Sequence, residues 1–280
     1  MSANNLPGEL AVLPLLPDDL PALLAGLYEA PEEAVAWMAG ASVAAWVALN
    51  DEEVVLGAVG ARPSPRHGAE LVGGAFPGPT QQAAALALAH AAQAELGRVY
   101  AFAEPHLWPY EALMGAGWHE IGAYRRLTGR MPLRHLEPPA GAVLHPLAAV
   151  QDLAVRMDAL ATFEDRVGHH AVLPEFAVDG AAGFDSHLSC IALDEQGRGI
   201  GLCRASIEDG LGRVDSPGVH PDWRASGLRA ALLDAVNGRL RAGGITQVSL
   251  DSWGDTAAEL AHDLKLGLHV VDETPIYSAP

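Results

Sequence analysis

The sequence predicts a layered α/β fold of two similar domains in tandem, each a mixed, mostly antiparallel sheet flanked by helices. Along each half of the chain, strand-like runs alternate with helical patterns. Both halves begin with a short apolar strand and a helix whose apolar residues recur every three or four positions, at 11–28 and again at 142–160. Both end with a glycine, which often follows a helix, and then a final strand, at 117–124 and 267–277. The matched beginnings and ends indicate an internal duplication.

The stretch from Pro132 to Gly141 marks the predicted boundary between the two domains. It contains three prolines and residues of both charges, as linkers often do. We therefore predict a first domain at 8–132, a linker at 133–141 and a second domain at 142–280. Each domain should contain an early hairpin whose turn is rich in Asp, Asn, Glu or Gly. The predicted hairpins lie at 44–59 and 188–205.

Composition limits the kinds of partner that the protein can have. The 280-residue chain is 50% hydrophobic, enough for buried cores, and its formal net charge is −18. This charge argues against nucleic acid and anionic membranes as partners, because both attract clustered Arg and Lys. An acidic surface tolerates or attracts a cationic amine, although the same charge also simply keeps a protein soluble.

Cysteine usage and hydropathy indicate a cytoplasmic protein. Cys190 and Cys203 are too few for a disulfide framework or a four-cysteine zinc site, and both lie in apolar runs typical of adjacent strands. We expect buried free thiols in a reducing compartment. Residues Met1–Leu16 lack the basic segment of a signal peptide, and apolar runs such as Val43–Leu49 are too short to span a bilayer. The polar residues at 164–170 match no standard zinc spacing, so we expect no metal site.

The segment 215–229 carries the strongest chemical signal in the sequence. A predicted strand ends at Val219, a polar turn follows, and a helix with one apolar face is predicted from Gly227 to about Arg241. The first turn of such a helix binds anions, because its backbone N–H groups are free and the helix dipole is positive there. Arg224 would add positive charge, and Gly227 would let the backbone approach a phosphate closely.

This turn resembles the acyl-CoA loop of the GNAT (GCN5-related N-acetyltransferase) family, V-x-P-x-x-[QR]-x-x-G-x-[GA]. The residues that match in register are Val219, Pro221, Arg224 and Gly227. A predicted strand, a predicted helix and the Leu-Gly-Leu of 266–268 then follow in the family's order. That strand and helix lie at Ile245–Leu250 and Ala257–Lys265. The resemblance covers residues 142–280 well, and residues 8–132 by arrangement only.

The resemblance implies transfer of an acetyl group from acetyl-CoA to an amine of a small molecule, by direct attack in a ternary complex. It implies that backbone amides near Val219 polarise the thioester carbonyl. Asp215 is the candidate acceptor of the ammonium proton, and a plain strand-edge carboxylate is its alternative. Asp263 aligns with a last-helix position where related tandem proteins carry Asn, and is the second catalytic candidate. The implied cofactor-binding residues are Gly218, Val219, Arg224, Ala225, Ser226, Gly227, Leu228 and Arg229.

The matching loop of the first half, at 76–82, is that of a degenerate copy. Two prolines there remove backbone donors, and the loop has no arginine. Thr80 is the expected N-cap of the helix that follows.

Arg229 separates two possible functions, because the family has Gly or Ala at this position. If Arg229, with Thr256 and Asp263, leaves the phosphate cleft open, the chain is an N-acetyltransferase. If Arg229 fills the cleft, the chain is a catalytically silent GNAT-like module that binds a ligand or partner. The sequence leaves a homodimer open in either case.

Overall fold

The computed structural model describes residues 10–279, which form two compact units. Unit 1 comprises the described residues up to Ala123 together with those from Thr274 onward, and unit 2 comprises Tyr124–Glu273. Each unit therefore includes a short segment from the other half of the chain. The predicted domain limits, 8–132 and 142–280, describe the duplicated order of elements and stay a prediction. Residue 8 lies outside the described residues.

The elements follow the order that the sequence predicts. The strands are β1 (Ala11–Pro14), β2 (Ala44–Leu49), β3 (Val55–Ser64), β4 (Gly68–Ala75), β5 (Val99–Phe102), β6 (His119–Gly129), β7 (Ala142–Pro146), β8 (Cys190–Asp194), β9 (Gly199–Cys203), β10 (Ala205–Glu208), β11 (Leu211–Asp215), β12 (Gly218–Val219), β13 (Val248–Trp253) and β14 (Leu268–Ser278). The α-helices are α1 (Leu20–Leu27), α2 (Glu32–Gly40), α3 (Gln81–Leu96), α4 (Tyr110–Gly115), α5 (Leu153–Ala161), α6 (Leu228–Ala242) and α7 (Ala257–Lys265).

Unit 1 is a sheet in the order β1-β2-β3-β4-β5-β14, antiparallel except for the β4–β5 pair. Helix α3 presents a row of buried alanines and Leu88 to the core. Thr80 occupies the N-cap position of α3, as predicted, but its side chain makes no capping hydrogen bond. The reason is its backbone, which is already helical (φ −100°, ψ −1°) instead of extended as in capping residues.

Unit 2 contains two sheets. One has the order β14-β6-β13-β11-β10, with β11 and β13 parallel, and the other has the order β12-β9-β8-β7. The apolar face of α6 fills the core between them, because its buried leucines and Val236 pack with residues of both sheets. The mixed, mostly antiparallel α/β architecture that the sequence predicts is confirmed.

Most local predictions in unit 2 are confirmed. Helix α7 has the predicted bounds, and Cys190 and Cys203 are buried free thiols directly opposite each other on β8 and β9. The strand predicted at 245–250 lies three residues later, at 248–253. Ile245 instead closes the end of α6, where its N–H donates to the Leu240 carbonyl at 2.9 Å. Within the part of the chain that the structure describes, no helix has both the length and the apolar character needed to cross a membrane.

Gly199→Ala is expected to destabilise unit 2 by about 1–3 kcal/mol. A β-carbon at this position of β9 would lie 2.8 Å from the backbone N of Ala159 in α5, and backbone atoms cannot move aside. Urea denaturation measures the effect. In the control variant Gly238→Ala, the nearest neighbour of the new β-carbon is Leu133, at 3.5 Å. This change in mid-α6 should be neutral or stabilise by up to about 1 kcal/mol. Equal effects of both substitutions would contradict close packing of α5 on β9.

Candidate active site

Two parallel strands of unit 2 separate at the point where the predicted cofactor loop begins. Strands β11 and β13 pair as far as Asp215 and Asp251, and the Ser216 N–H still donates to the Asp251 carbonyl at 2.8 Å. Pro217 follows, and the chain then forms β12, which pairs with β9 in the other sheet. We call the space between β12 and the end of β13 the gap.

The open edge of β12 faces the gap. The His220 N–H donates to Ile200 of β9 at 2.9 Å, so in this antiparallel pair the backbone groups of Gly218 and His220 point to β9. Those of Pro217 and Val219 therefore point the other way. Proline has no N–H, which leaves the Val219 amide as the donor on this edge. The Pro217 and Val219 carbonyls accept hydrogen bonds from Arg166 (3.1 Å) and Arg224 (3.2 Å).

The predicted cofactor loop is an exposed turn at the start of α6. Residues Pro221–Ser226 form a 3-10 turn, and Gly227 has φ +89°, a left-handed conformation that suits glycine. The Ser226 hydroxyl accepts a hydrogen bond from the Leu228 N–H at 3.3 Å, which caps the helix start. Ala225, Ser226 and Gly227 are exposed. The structure therefore places Arg224–Gly227 in this turn, Gly218 and Val219 in the preceding β12, and Leu228 and Arg229 at the start of α6.

Arg229 points away from solvent, into unit 2. Its guanidinium lies 2.7 Å from Asp263 and 3.1 Å from Asp255, and donates to the Ser216 hydroxyl at 2.9 Å. Burial by itself lowers the pKa of Arg229, but the carboxylates of Asp263, Asp255 and Glu259 more than compensate and raise it. Arg229 is therefore a permanent buried cation that joins the start of α6 to the end of β11 and to α7.

Arg166, from the loop after α5, meets the same carboxylates from the opposite side of the gap. It pairs with the fully buried Asp255 and lies 2.9 Å from Glu259, while also donating to the Pro217 carbonyl. These side chains form one group, the gap cluster. Its two guanidinium groups and three carboxylates leave one net negative charge. The members of the gap cluster are Arg166, Arg229, Asp255, Glu259 and Asp263.

The structure does not bring the two catalytic candidates together. Asp215 is buried and paired with Arg204 at 2.6 Å. Burial raises the pKa of the Asp215 carboxyl, and Arg204 opposes that rise only in part. Side chains alternate along β11, so Asp215 points away from the core that its neighbour Val214 shares with α6. Asp263 lies on the other side, on α7, where Arg229 holds it.

Arg224 and Thr256 both have partners within the protein. The Arg224 guanidinium pairs with Asp165 as well as with the edge of β12. Thr256 forms a capping box with Glu259, in which the Thr256 hydroxyl accepts from the Glu259 N–H at 3.2 Å and Glu259 accepts from the Thr256 N–H at 2.9 Å. The Thr-x-x-Glu pattern could have identified this helix start from sequence. Arg166 and Ser216 have no comparable sequence signal.

A row of aromatic rings lies beside the gap. Phe163, His169, Trp253 and Tyr124 follow one another with ring centroids 5.2, 6.1 and 4.4 Å apart. Burial, with the nearby Arg166 and Arg204, lowers the pKa of His169 to about 3. His169 is therefore neutral at physiological pH and adds no charge to the gap.

In unit 1 the matching strands also separate, but protein groups fill the opening. Strands β4 and β5 pair as far as Leu71 and Ala101. Beyond that point the Gly73 N–H donates to the Tyr28 hydroxyl at 3.0 Å, and the Ala75 N–H donates to the Leu107 carbonyl at 3.1 Å. Donors that could face a ligand on this edge of β4 therefore have partners within unit 1.

The fold matches solved acetyltransferase structures over nearly the whole chain. A GCN5-related N-acetyltransferase from Sphaerobacter thermophilus has a TM-score of 0.55 and 19% identity, with 98% of this chain and 96% of that chain covered. A tandem GNAT protein from the clavulanic acid biosynthesis pathway has a TM-score of 0.53 and 17% identity, with 97% and 98% covered. A GCN5-related N-acetyltransferase from Anabaena variabilis has a TM-score of 0.61 and 13% identity, with 96% and 72% covered. No protein-family model and no curated protein matches the sequence.

The chain therefore has the GNAT fold. Within that class it is similar, over 97% of its length, to a tandem GNAT protein. At these identities the likeness concerns the fold, so the chemistry must be argued from the residues of the gap.

Glu259→Gln is expected to lower stability more at neutral pH than in acid. Burial raises the pKa of Glu259, yet Arg166, the Thr256 amide and Arg229 together bring it below its usual 4.5. A carboxyl with a lowered folded pKa stabilises above its unfolded pKa, and this contribution is lost as the pH falls through the folded value. Glutamine can keep the capping box. We expect a loss of about 1 kcal/mol at pH 7 and a smaller loss near pH 3, measured by urea denaturation at both pH values. A loss that is the same at both pH values would contradict this charge contribution.

Proposed function

We propose that unit 2 is an acyl-CoA-dependent N-acyltransferase that acetylates an amine of a small molecule. The observation that supports this is the gap itself. The Val219 amide points into it, and the gap lies beside a helix N-terminus that follows an exposed turn, Ala225–Gly227. A β-carbon at Gly227 would meet no atom within 4 Å, so this turn has room for a phosphate next to the backbone. The residues of the loop therefore fit a pyrophosphate.

In the proposed reaction, a neutral amine nitrogen attacks the thioester carbonyl carbon, the carbon–sulfur bond breaks, and the thiolate takes up the proton that the nitrogen loses as the amide forms. The Val219 amide would donate a hydrogen bond to the carbonyl oxygen as negative charge develops there, a contribution of about 3 kcal/mol. Asp215 would accept the proton that the ammonium form must lose before attack. Its raised pKa supports this role, because its carboxylate binds a proton more readily than an exposed aspartate does.

The gap cluster must rearrange before acyl-CoA can occupy the gap. Arg166 donates to the Pro217 carbonyl on one side and pairs with Asp255 on the other, so it spans the space that the ligand would need. The net negative charge of the cluster also opposes a pyrophosphate. The same charge favours a cationic amine.

The gap cluster supports a second candidate function, a catalytically silent GNAT-fold module. Here Arg229 has replaced the small residue of the acyl-CoA loop, and Asp263 on α7 neutralises it. A buried guanidinium with two carboxylate partners is a stable arrangement that leaves acyl-CoA no space. The protein would then bind a different ligand or a protein partner.

Isothermal titration with acetyl-CoA, and with CoA alone, tests the proposed function. We expect one ligand per chain with a dissociation constant of roughly 1 μM–1 mM, the range of most enzyme KM values. Gly227→Asp should abolish binding, because it places a negative charge where the pyrophosphate would lie. Gly197→Asp is the matched control, since Gly197 also has a positive φ (+76°) and open space around its β-carbon position. If both variants bind acetyl-CoA equally well, the loop is not part of the binding site.

The double variant Arg229→Ala/Asp263→Asn separates the two candidate functions. It removes a buried charge pair together, which avoids the cost of about 3–5 kcal/mol for leaving one charge unpaired. If the wild type binds acetyl-CoA, we expect the double variant to bind it about tenfold more tightly. Circular dichroism confirms that the variant is folded. Binding by the double variant alone would support the silent module. Arg126→Ala, which removes one partner of an exposed pair with Asp272, is the control.

A further inference from the structure

The loop after α5 crosses the gap and rests on a glycine at each side. We call residues 162–170 of this loop the strap. A β-carbon at Gly218, in β12, would lie 2.9 Å from the Phe163 ring. A β-carbon at Gly254, just after β13, would lie 2.7 Å from the Val167 side chain. The strap therefore touches both of the separating strand ends where side chains are absent.

The glycine at 218 is explained by the strap and not by its own backbone. Gly218 has none of the positive φ values that favour glycine, so an alanine could adopt its conformation. What excludes a side chain is the close approach of Phe163 and Thr162. The sequence of β12 is thus adapted to a strap that lies against it.

Arg166 links the strap to both sides of the gap. Its side chain is only 10% exposed, and it binds the Pro217 carbonyl on the β12 side and Asp255 and Glu259 on the far side. In this position the guanidinium donates a hydrogen bond to the outward-facing carbonyl of Pro217, just before β12, and bridges the separated strands. No acyl chain can pass between β12 and the end of β13 while Arg166 remains there.

The segment that contains the strap has little regular structure of its own. Gly168 within the strap has a left-handed φ of +89°. Between α5 and β8, the regular structure consists of two short 3-10 turns, Pro174–Ala177 and Ala181–Gly183. If Arg166 moves away, Asp255 and Glu259 both keep Arg229 as a neighbour, so neither carboxylate is left without a cation.

We propose that the strap is an autoinhibitory contact: Arg166 holds it across the gap in the ligand-free protein, and acyl-CoA binds only when the strap is displaced. The proposal rests on the proposed function, because it concerns access to the same gap. It attributes the blocking of the gap chiefly to Arg166 and the strap, and not to Arg229.

Hydrogen exchange measured by mass spectrometry tests the closed strap independently of any ligand. In Arg166→Ala, the amides of residues 163–169 should exchange at least tenfold faster than in the wild type. Exchange in β8 and β9 should not change. Gly218→Ala, which pushes on Phe163 but leaves Arg166 intact, should also speed exchange in the strap. Arg126→Ala is the control and should change neither region. Unchanged strap exchange in both test variants would overturn the proposal.

Titration of the same variants with acetyl-CoA tests the inhibition. We expect Arg166→Ala to bind about tenfold more tightly than the wild type, equivalent to about 1.4 kcal/mol. If wild type and Arg166→Ala bind equally, the strap is not inhibitory and the proposed function stands. If only Arg229→Ala/Asp263→Asn binds, Arg229 is the barrier and the strap proposal fails. If none of these proteins binds, the proposed function fails as well.

Discussion

The change of strand partner after Ser216 is the constraint on which the candidate site depends. Strand β11 pairs with β13 up to Asp215, and the Ser216 N–H still donates to the Asp251 carbonyl, but Gly218, the next alternate residue, pairs with β9 instead. The chain changes partner and β12 joins β9. The gap, the outward-facing amide of Val219 and the helix start at Gly227 all follow from this change. The gap thus results from the way these strands share their backbone hydrogen bonds.

Buried charge then determines what the opening can hold. A guanidinium inside a domain is tolerated only with carboxylate partners, and removing one partner is far more costly than removing the pair. Arg229 and Asp263 must therefore be considered together, although they lie on different helices. With Asp255, Glu259 and Arg166 they form a cluster with a net negative charge beside the predicted cofactor loop. The same elements that resemble an acyl-CoA loop are, in this state, closed by the protein's own side chains.

The parts of the fold that are predictable are those with strong local signals. Helix α7 is predicted with its observed bounds from its place in the family's order of elements, and the capping box at Thr256 is a local signal that agrees with that prediction. Strand β13 is predicted three residues too early, since the apolar Ile245 looks like a strand residue but closes the end of α6. The predicted cofactor loop forms one turn, as its sequence spacing requires. Asp215 and Asp263, in contrast, lie on opposite sides of the sheet, which linear spacing does not reveal.

By itself, the sequence determined the α/β class, the duplicated order of elements and the position of the loop before α6. These depend on the period of apolar residues, on turn residues and on a helix start, all of which are local. Only the tertiary structure decided where the long side chains point. Arg229 lies inside and Arg166 spans the gap because carboxylates distant in the chain are brought within hydrogen-bonding distance of them. A buried charge is placed by its partners, and the partners become neighbours only when the chain has folded.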